Sequence, residues 1–416
     1  MNKEKLEKKL LEYIDENEVV KIAQNLIKIP SENPPGNLKE VSNYVCSFLE
    51  KNFLEYQVKE AKEGFPIIIS TLEGEIPGKT LILNGHLDVV PAGELDKWDY
   101  PPYSGIIEEG YLHGRGTSDM KAGVAGLLAA FKAASKIKDL PGKIILLLVS
   151  DEETGGHWGS KWIMEEENYQ ADGCLIAEPS KSNPTIGQKG ACWLKLISHG
   201  IPGHGSLSPA AGDNAIIKMN KAISAIYEIW NEEWKMPEEI IDILNQSKNH
   251  AKNKKEISNI ERVFDHVSIN VGVIKGGDKV NKIPDYCEAE IDMRVPFGVK
   301  SSEVINWITN KLKNENLDIE IESLRWNSEA NYTNPDNEIV DSVVNSAIKH
   351  GIKDVKPLLQ WASSDARYFR EKGIPTIQFG PAEYEGIHSY NEKVSIEEIK
   401  LYSKIYGSII FDFLTS

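Results

Sequence analysis

Five short runs set metal-ligating side chains at or just beyond apolar segments. LILNGHLDVVP places His86 and Asp88 after the strand-like run Lys79–Leu83, and LLLVSDEETGG places Asp151, Glu152 and Glu153 after Lys143–Val149. GCLIAEPS puts Glu178 at the end of a third apolar run, Gly173–Ala177, where Pro179 stops further pairing. GYLHGRGTSDMKAG carries Asp119 behind a Gly-rich turn, Gly114–Gly116, and PTIQFGPAEYEGIHSYNE carries His388 on a loop after Pro375–Phe379. In open α/β sheets the carboxyl ends of the strands are where ligands bind. His, Asp, Glu, Glu and His are thereby delivered to one sheet edge.

Taken singly, each run has a plainer reading. His-x-Asp can be a solvated loop, Asp119 can be a helix N-cap, and Asp151–Glu153 can be an exposed acidic turn. Three adjacent carboxylates at a buried strand end, however, repel one another and lose solvation unless a cation sits among them. Adjacent side chains point to different sides, so Glu152 and Glu153 can take different roles, one as general base and one as ligand. A carboxylate two residues after His86 can hold the second ring nitrogen and fix the tautomer that binds a metal. Imidazole and carboxylate donors without cysteine suit zinc, cobalt or manganese. The ligands are too many for one tetrahedral ion, and two ions about 3.5–4 Å apart sharing Asp119 would use them all, a common hydrolytic arrangement.

Positioning these groups requires a strand-helix framework. Continuous apolar runs alternate with helical patterns near Met120–Lys136 and Ser160–Glu167, which predicts a largely parallel sheet covered on both faces. After about Gly187 the texture changes to alternating strands, Trp193–Ser198, His266–Ile274 and Tyr286–Pro296. In the last, Cys287, Ala289, Ile291, Met293 and Val295 face one way, the pattern of a half-buried antiparallel strand. Helices are expected around Asn214–Trp230 and Glu238–Lys248, with a Lys/Asn-rich link over Lys248–Lys255. From about Lys300 the α/β texture returns, with helices near Ser301–Leu312, Asn337–His350 and Ser395–Leu414. The expected organisation is an α/β core of residues 1–187 and 300–416 around an inserted α+β domain of residues 188–299.

Composition narrows the function. Among 416 residues, 47 Lys and Arg face 63 Asp and Glu, a net charge of −16 that offers no field for nucleic acid or an anionic membrane. Cys46, Cys174, Cys192 and Cys287 are scattered and read as reduced core residues. The first residues form a charged amphipathic helix without an apolar core, and no run reaches the ~18 apolar residues of a membrane span. A cytoplasmic enzyme is the expectation. A phosphate-binding loop is excluded, since Glu73 stands where the motif ending in Lys79-Thr80 needs its first glycine.

In combination, GHLDVVP, GYLHGRGTSDMKAG, DEETGG, AEPS, GHGS, NKIPDYCEAEIDMR and GPAEYEGIHSYNE resemble, in order and over nearly the whole chain, the M20 metallopeptidase family. That group includes acetylornithine deacetylase and succinyl-diaminopimelate desuccinylase. The resemblance implies a di-metal hydrolase core and a ferredoxin-like lid that also forms a dimer surface. It implies that His86 and Glu178 bind one ion, Glu153 and His388 the other, and Asp119 both. Glu152 matches the general base that works with a bridging hydroxide, and Asp88 the carboxylate behind His86. His204 matches the lid histidine that stabilises the oxyanion. Asn281 and Arg294 match positions that hold a substrate carboxylate, while Ser363 and Arg367 match a further substrate-side motif. Plainer readings remain for these: Arg294 can pair with Asp292 or Glu288, His204 can be solvated, and Asn281 can be a turn residue. The implied activity is metal-dependent hydrolysis of an N-acyl amino acid amide, with zinc first and cobalt or manganese as alternatives. A dipeptidase or carboxypeptidase of the same family, or a binding protein that keeps the fold, are the other readings.

Overall fold

The computed structural model describes residues 3–254 and 257–416, which fall into two compact units. The first comprises residues 1–186, 333–358 and 364–416; the second comprises 187–332 and 359–363.

Four parallel strands form the heart of the first unit, in the order Lys143–Val149, Thr80–His86, Gly173–Ile176 and Thr376–Gln378. Residues Leu81–His86 and Ile144–Val149 are all buried, so the sheet is covered on both faces, and this is why these strands read as unbroken apolar runs. Antiparallel strands Pro66–Glu73 and Tyr56–Glu60 extend the sheet beyond Lys143–Val149. From Thr80–His86 the chain goes first to the neighbour on one side and then, by Gly173–Ile176, to the neighbour on the other. His86 therefore ends the strand at the topological switch point, where crossover helices diverge and leave a crevice.

The helix Ala122–Ala134 is built from small and apolar residues because it is buried almost all round, packed against Glu16–Ile27 and Ile396–Thr415. Gly123 permits its close approach to the sheet: a Cβ there would lie 2.3 Å from the Ala177 carbonyl oxygen. The start of this helix, just after Asp119, is thus pressed beside the strand end that carries Glu178.

The second unit has the chain order strand Gly190–His199, helix Ala215–Ile226, strands Ser268–Gly276 and Tyr286–Val295, helix Ser301–Asn314, strand Glu320–Ser328. Its antiparallel sheet runs Ser268–Gly276, Tyr286–Val295, Gly190–His199, Glu320–Ser328. This is the split βαβ arrangement of ferredoxin-like folds. Cys287, Ala289, Ile291, Met293 and Val295 are buried, and they meet Met219, Ala222, Ile226, Val304 and Ile308 of the two helices in one core.

The segment after residue 300 corrects the expected boundary. Helix Ser301–Asn314 and strand Glu320–Ser328 are the closing αβ half of the split βαβ, and without them the Gly190–His199 strand would expose an unpaired edge. The chain returns to the first unit at Thr333. The Lys/Asn-rich link is also different: helix Ile241–Lys254 runs through most of it, while Lys255 lies outside the described residues. Among the cysteines, Cys46 sits on helix Lys39–Lys51, the other three on strands, and all four are free.

Candidate metal centre

His86 is 2% exposed, and its two ring nitrogens face different partners. Nδ1 lies 2.9 Å from the carbonyl oxygen of Asp88 and 3.5 Å from its carboxylate; Nε2 lies 3.1 Å from Asp119 Oδ1 and 3.8 Å from Glu178 Oε1. A proton on Nδ1 leaves Nε2 as the donor atom facing the acidic cluster. The Asp88 side chain does more than back the ring. Its oxygens accept the backbone N–H groups of Glu152 (3.2 Å) and Glu153 (3.1 Å) and the amide of Asn33 (2.9 Å). One fully buried carboxylate thus ties the strand end of His86 to the turn of the next strand. Burial alone would raise its pKa, but the hydrogen bonds from His86 and Asn33 outweigh it and hold it below the usual carboxylate range.

His388 Nε2 completes the other side, 3.2 Å from Asp119 Oδ2 and 3.0 Å from Glu153 Oε2. Asp119 therefore presents one oxygen to each histidine. Glu153 is further fixed by the Val90 N–H at 3.2 Å. Of the three consecutive carboxylates, Asp151 turns away from the others, accepting from Thr154 Oγ1 and from the Trp158 N–H at 2.8 Å. It has a left-handed backbone, φ 80°. The repulsion expected of three neighbours is thereby reduced to Glu152 and Glu153.

The electrostatics of this cluster call for a cation. Burial, with the charge of Asp119 next, pushes the Glu178 carboxyl up to about 8, and burial with the charge of Glu178 pushes Glu152 well above its ordinary range. Hydrogen bonds to Asp119 and Glu153 push the His388 imidazole up to about 11. His86 is likewise raised, because its carboxylate partners outweigh the effect of burial. Among the described residues Glu178 Oε1 is buried without a hydrogen-bond partner, a costly state for a carboxylate oxygen. Two sets of donor atoms lie within 4.8 Å of one another: His86 with Glu152 and Glu178, and His86 with Asp119 and Glu153. Nitrogen and oxygen donors in this number fit divalent zinc, cobalt or manganese.

The other expected site residues are distributed over both units. In the second, His204 is exposed, its Nδ1 2.7 Å from Ser206 Oγ, and it pairs with Lys282 in a small antiparallel ladder next to Asn281, whose carbonyl accepts the Gly205 N–H. Arg294 is bound by its Nε and Nη2 to Asp292 and gives Nη1 to Ser363 Oγ at 3.2 Å. Arg367, in the first unit, is 7% exposed and donates to the Gly155 carbonyl at 2.8 Å, where the Tyr368 hydroxyl also donates at 2.6 Å. It braces the turn that carries Glu152 and Glu153, a contact its sequence motif did not indicate. His113, beside the Gly114–Gly116 turn and not an expected site residue, meets Tyr100 in a tilted ring contact, centroids 4.7 Å apart.

Sequence reasoning missed Asn33, whose Nδ2 reaches Asp88 and Thr154 (3.0 Å), and Asp365. Asp365 is 1% exposed, faces Ser160, and has neither oxygen in a full hydrogen bond among the described residues. Burial pushes its carboxyl up to about 6. It lies so close to the turn of Glu152 and Glu153 that a Cβ at Gly156, where φ is +70°, would fall 2.2 Å from its Oδ1. The Gly155-Gly156 pair in DEETGG was the available signal.

The sequence pattern of Peptidase family M20/M25/M40 matches residues 82–412. A succinyl-diaminopimelate desuccinylase of Helicobacter hepaticus is 28% identical over 404 residues, covering 91% of this chain and 93% of its own. One from Nautilia profundicola is 26% identical over 85% of this chain and 92% of its own. Among solved structures, an M20 family metallo-carboxypeptidase from Sulfolobus solfataricus superposes with a TM-score of 0.77 at 20% identity, over 95% of this chain and 99% of that one. The chain belongs to peptidase family M20/M25/M40 and is a hydrolase of amide bonds.

Proposed function

We propose that this enzyme removes an acyl group from an N-acyl amino acid that carries a free carboxylate, with succinyl as the first acyl group to test. The observation that carries the reading is the convergence of His86, Asp119, Glu153, Glu178 and His388, with His86 and Glu178 buried and Glu178 Oε1 without a hydrogen-bond partner among the described residues. Relatives named as succinyl-diaminopimelate desuccinylases support the choice of acyl group. In this reading His86 and Glu178 hold one zinc, Glu153 and His388 a second, and Asp119 both. Bound there, the ions supply Lewis acidity and make water acidic enough to yield a nucleophile at neutral pH.

Glu152 is the general base. It stands on the turn held by Asp88 and Arg367, a placement that suits a group that accepts a proton from water and returns it to the leaving amine. His204 donates to the carbonyl oxygen as it gains charge. Arg294, with Asn281, orients the substrate carboxylate; its Nε and Nη2 contacts to Asp292 fix the guanidinium plane, and Ser363 accepts from Nη1. Arg367 supports the Glu152 turn rather than substrate.

We further read the protein as a cytoplasmic homodimer joined through the second unit, whose Ile201, Leu207, Ile274 and Val280 are exposed apolar residues. The test is a hydrolysis screen of chelator-treated protein resupplied with Zn²⁺, Co²⁺ or Mn²⁺, against N-succinyl, N-acetyl and N-formyl amino acids and dipeptides. Metal-restored release of amine from an N-acyl amino acid is expected. Cleavage of dipeptides alone would establish the peptidase alternative.

A further inference from the structure

Glu392 is buried, 1% exposed, four residues beyond His388, and both its oxygens are fully used by the opposite loop. Oε1 accepts the N–H groups of Ser118 (2.9 Å) and Asp119 (3.1 Å). Oε2 accepts the Gly116 N–H (3.0 Å) and Arg115 Nη1 (2.7 Å). The clasp is reciprocal. Arg115 Nη2 donates to the Ser389 carbonyl at 2.8 Å, Ser118 Oγ donates to the Lys393 carbonyl at 2.9 Å, and the Glu383 N–H donates back to Ser118 Oγ at 3.0 Å. The segment 383–393 contains His388 and the segment 115–119 ends at Asp119. These two ligand candidates are 3.2 Å apart, yet they come from loops more than 250 positions apart in the chain.

We propose that Glu392 is a positioning residue that sets the His388–Asp119 separation and thereby the affinity for the second metal ion. A carboxylate suits this position because it is planar, offers about four lone-pair directions and has no hydrogen to clash with four converging donors. Its charge also balances the buried Arg115 guanidinium. An amide has one oxygen only, so Gln must turn its NH₂ toward two of the donors.

The inference rests on the reading of His388 and Asp119 as ligands, so His388→Ala is included. The measurement is Co²⁺ titration of chelator-treated protein, followed by visible absorption for the first and second equivalents, alongside the unfolding midpoint without metal. Glu392→Gln and Glu392→Asp are expected to weaken the second equivalent by roughly 10–100-fold, the range for outer residues that orient ligands. Glu392→Asp keeps the charge and draws the oxygens back. Lys349→Met, which breaks the ion pair with Glu7 and touches no residue of the clasp, is expected to lower the unfolding midpoint while the second equivalent stays within threefold. Wild-type binding by both Glu392 variants, or losses in all three variants that merely follow their unfolding midpoints, would overturn the proposal. Two wild-type equivalents in His388→Ala would instead overturn the ligand assignment.

Discussion

Replacing Asn33 with Ala removes a side chain that touches no expected ligand, yet it should weaken metal binding. Its Nδ2 lies 2.9 Å from Asp88 Oδ2 and 3.0 Å from Thr154 Oγ1, with Asp151 Oδ1 farther off at 3.4 Å. One hydrogen bond to a buried charge, about 1.5–3 kcal/mol, and one neutral bond, about 0.5–1.5 kcal/mol, give an expected stability loss of about 2–4 kcal/mol. Asp88 keeps the two backbone N–H groups of Glu152 and Glu153 but loses the partner that fixes its plane beside His86. Metal affinity should fall by roughly 10–100-fold, as for other outer partners of ligating histidines. Urea unfolding of the metal-free protein reads the first quantity, and competition with a chromogenic chelator reads the second. Metal affinity within twofold of wild type, together with a stability loss below about 0.5 kcal/mol, would refute the claim that Asn33 orients Asp88.

Glu152→Gln should retain both metal ions and lose roughly 10²–10⁴-fold in kcat, the usual contribution of a general base; metal analysis beside steady-state kinetics checks it, and a loss under tenfold would remove the role. Arg367→Ala should lower kcat with little change in KM, because it frees the Gly155 carbonyl and the Glu152 turn rather than a substrate contact; a KM effect alone would return Arg367 to substrate binding. Lys189 gives a pH test in the second unit, where burial pushes its ammonium down to about 7 while it donates to the Val263 and His266 carbonyls at 2.6 and 2.7 Å. Its folded pKa is below the unfolded value, so stability is greatest above about pH 10.5, falls with pH, and levels off below about 7, by at most about 4–5 kcal/mol. Lys189→Met should flatten that slope in urea unfolding at pH 7 and 9.5, and parallel slopes would contradict the assignment.

His86, Glu153 and Glu178 were legible because they end or closely follow strands that are buried on both faces, whereas Asp119 and His388 were legible from the Gly-rich turn and the loop motif that carry them. Such strands leave unbroken apolar runs, and a His or Glu closing one stands out. The end of the second unit was not legible, because helix Ser301–Asn314 followed by strand Glu320–Ser328 has the same local texture as a helix and strand of the core. Only the pairing of Glu320–Ser328 with Gly190–His199, more than 120 positions earlier, assigns it. Asn33, Asp365 and Glu392 were missed for a related reason. Each is a single polar residue whose partners are distant in sequence, and its meaning lies in burial that no local pattern encodes. Arg367 was legible as a motif, but its partner, a backbone carbonyl of another loop, was not.

The central claim is a pair of divalent ions held by His86, Asp119, Glu153, Glu178 and His388, with Asp119 shared. It is tested most directly by the metal content of wild type and Asp119→Ala after zinc loading and desalting, measured by inductively coupled plasma mass spectrometry. Two equivalents in wild type and fewer than one in Asp119→Ala are predicted. One equivalent or none in wild type, or two in both proteins, would contradict it.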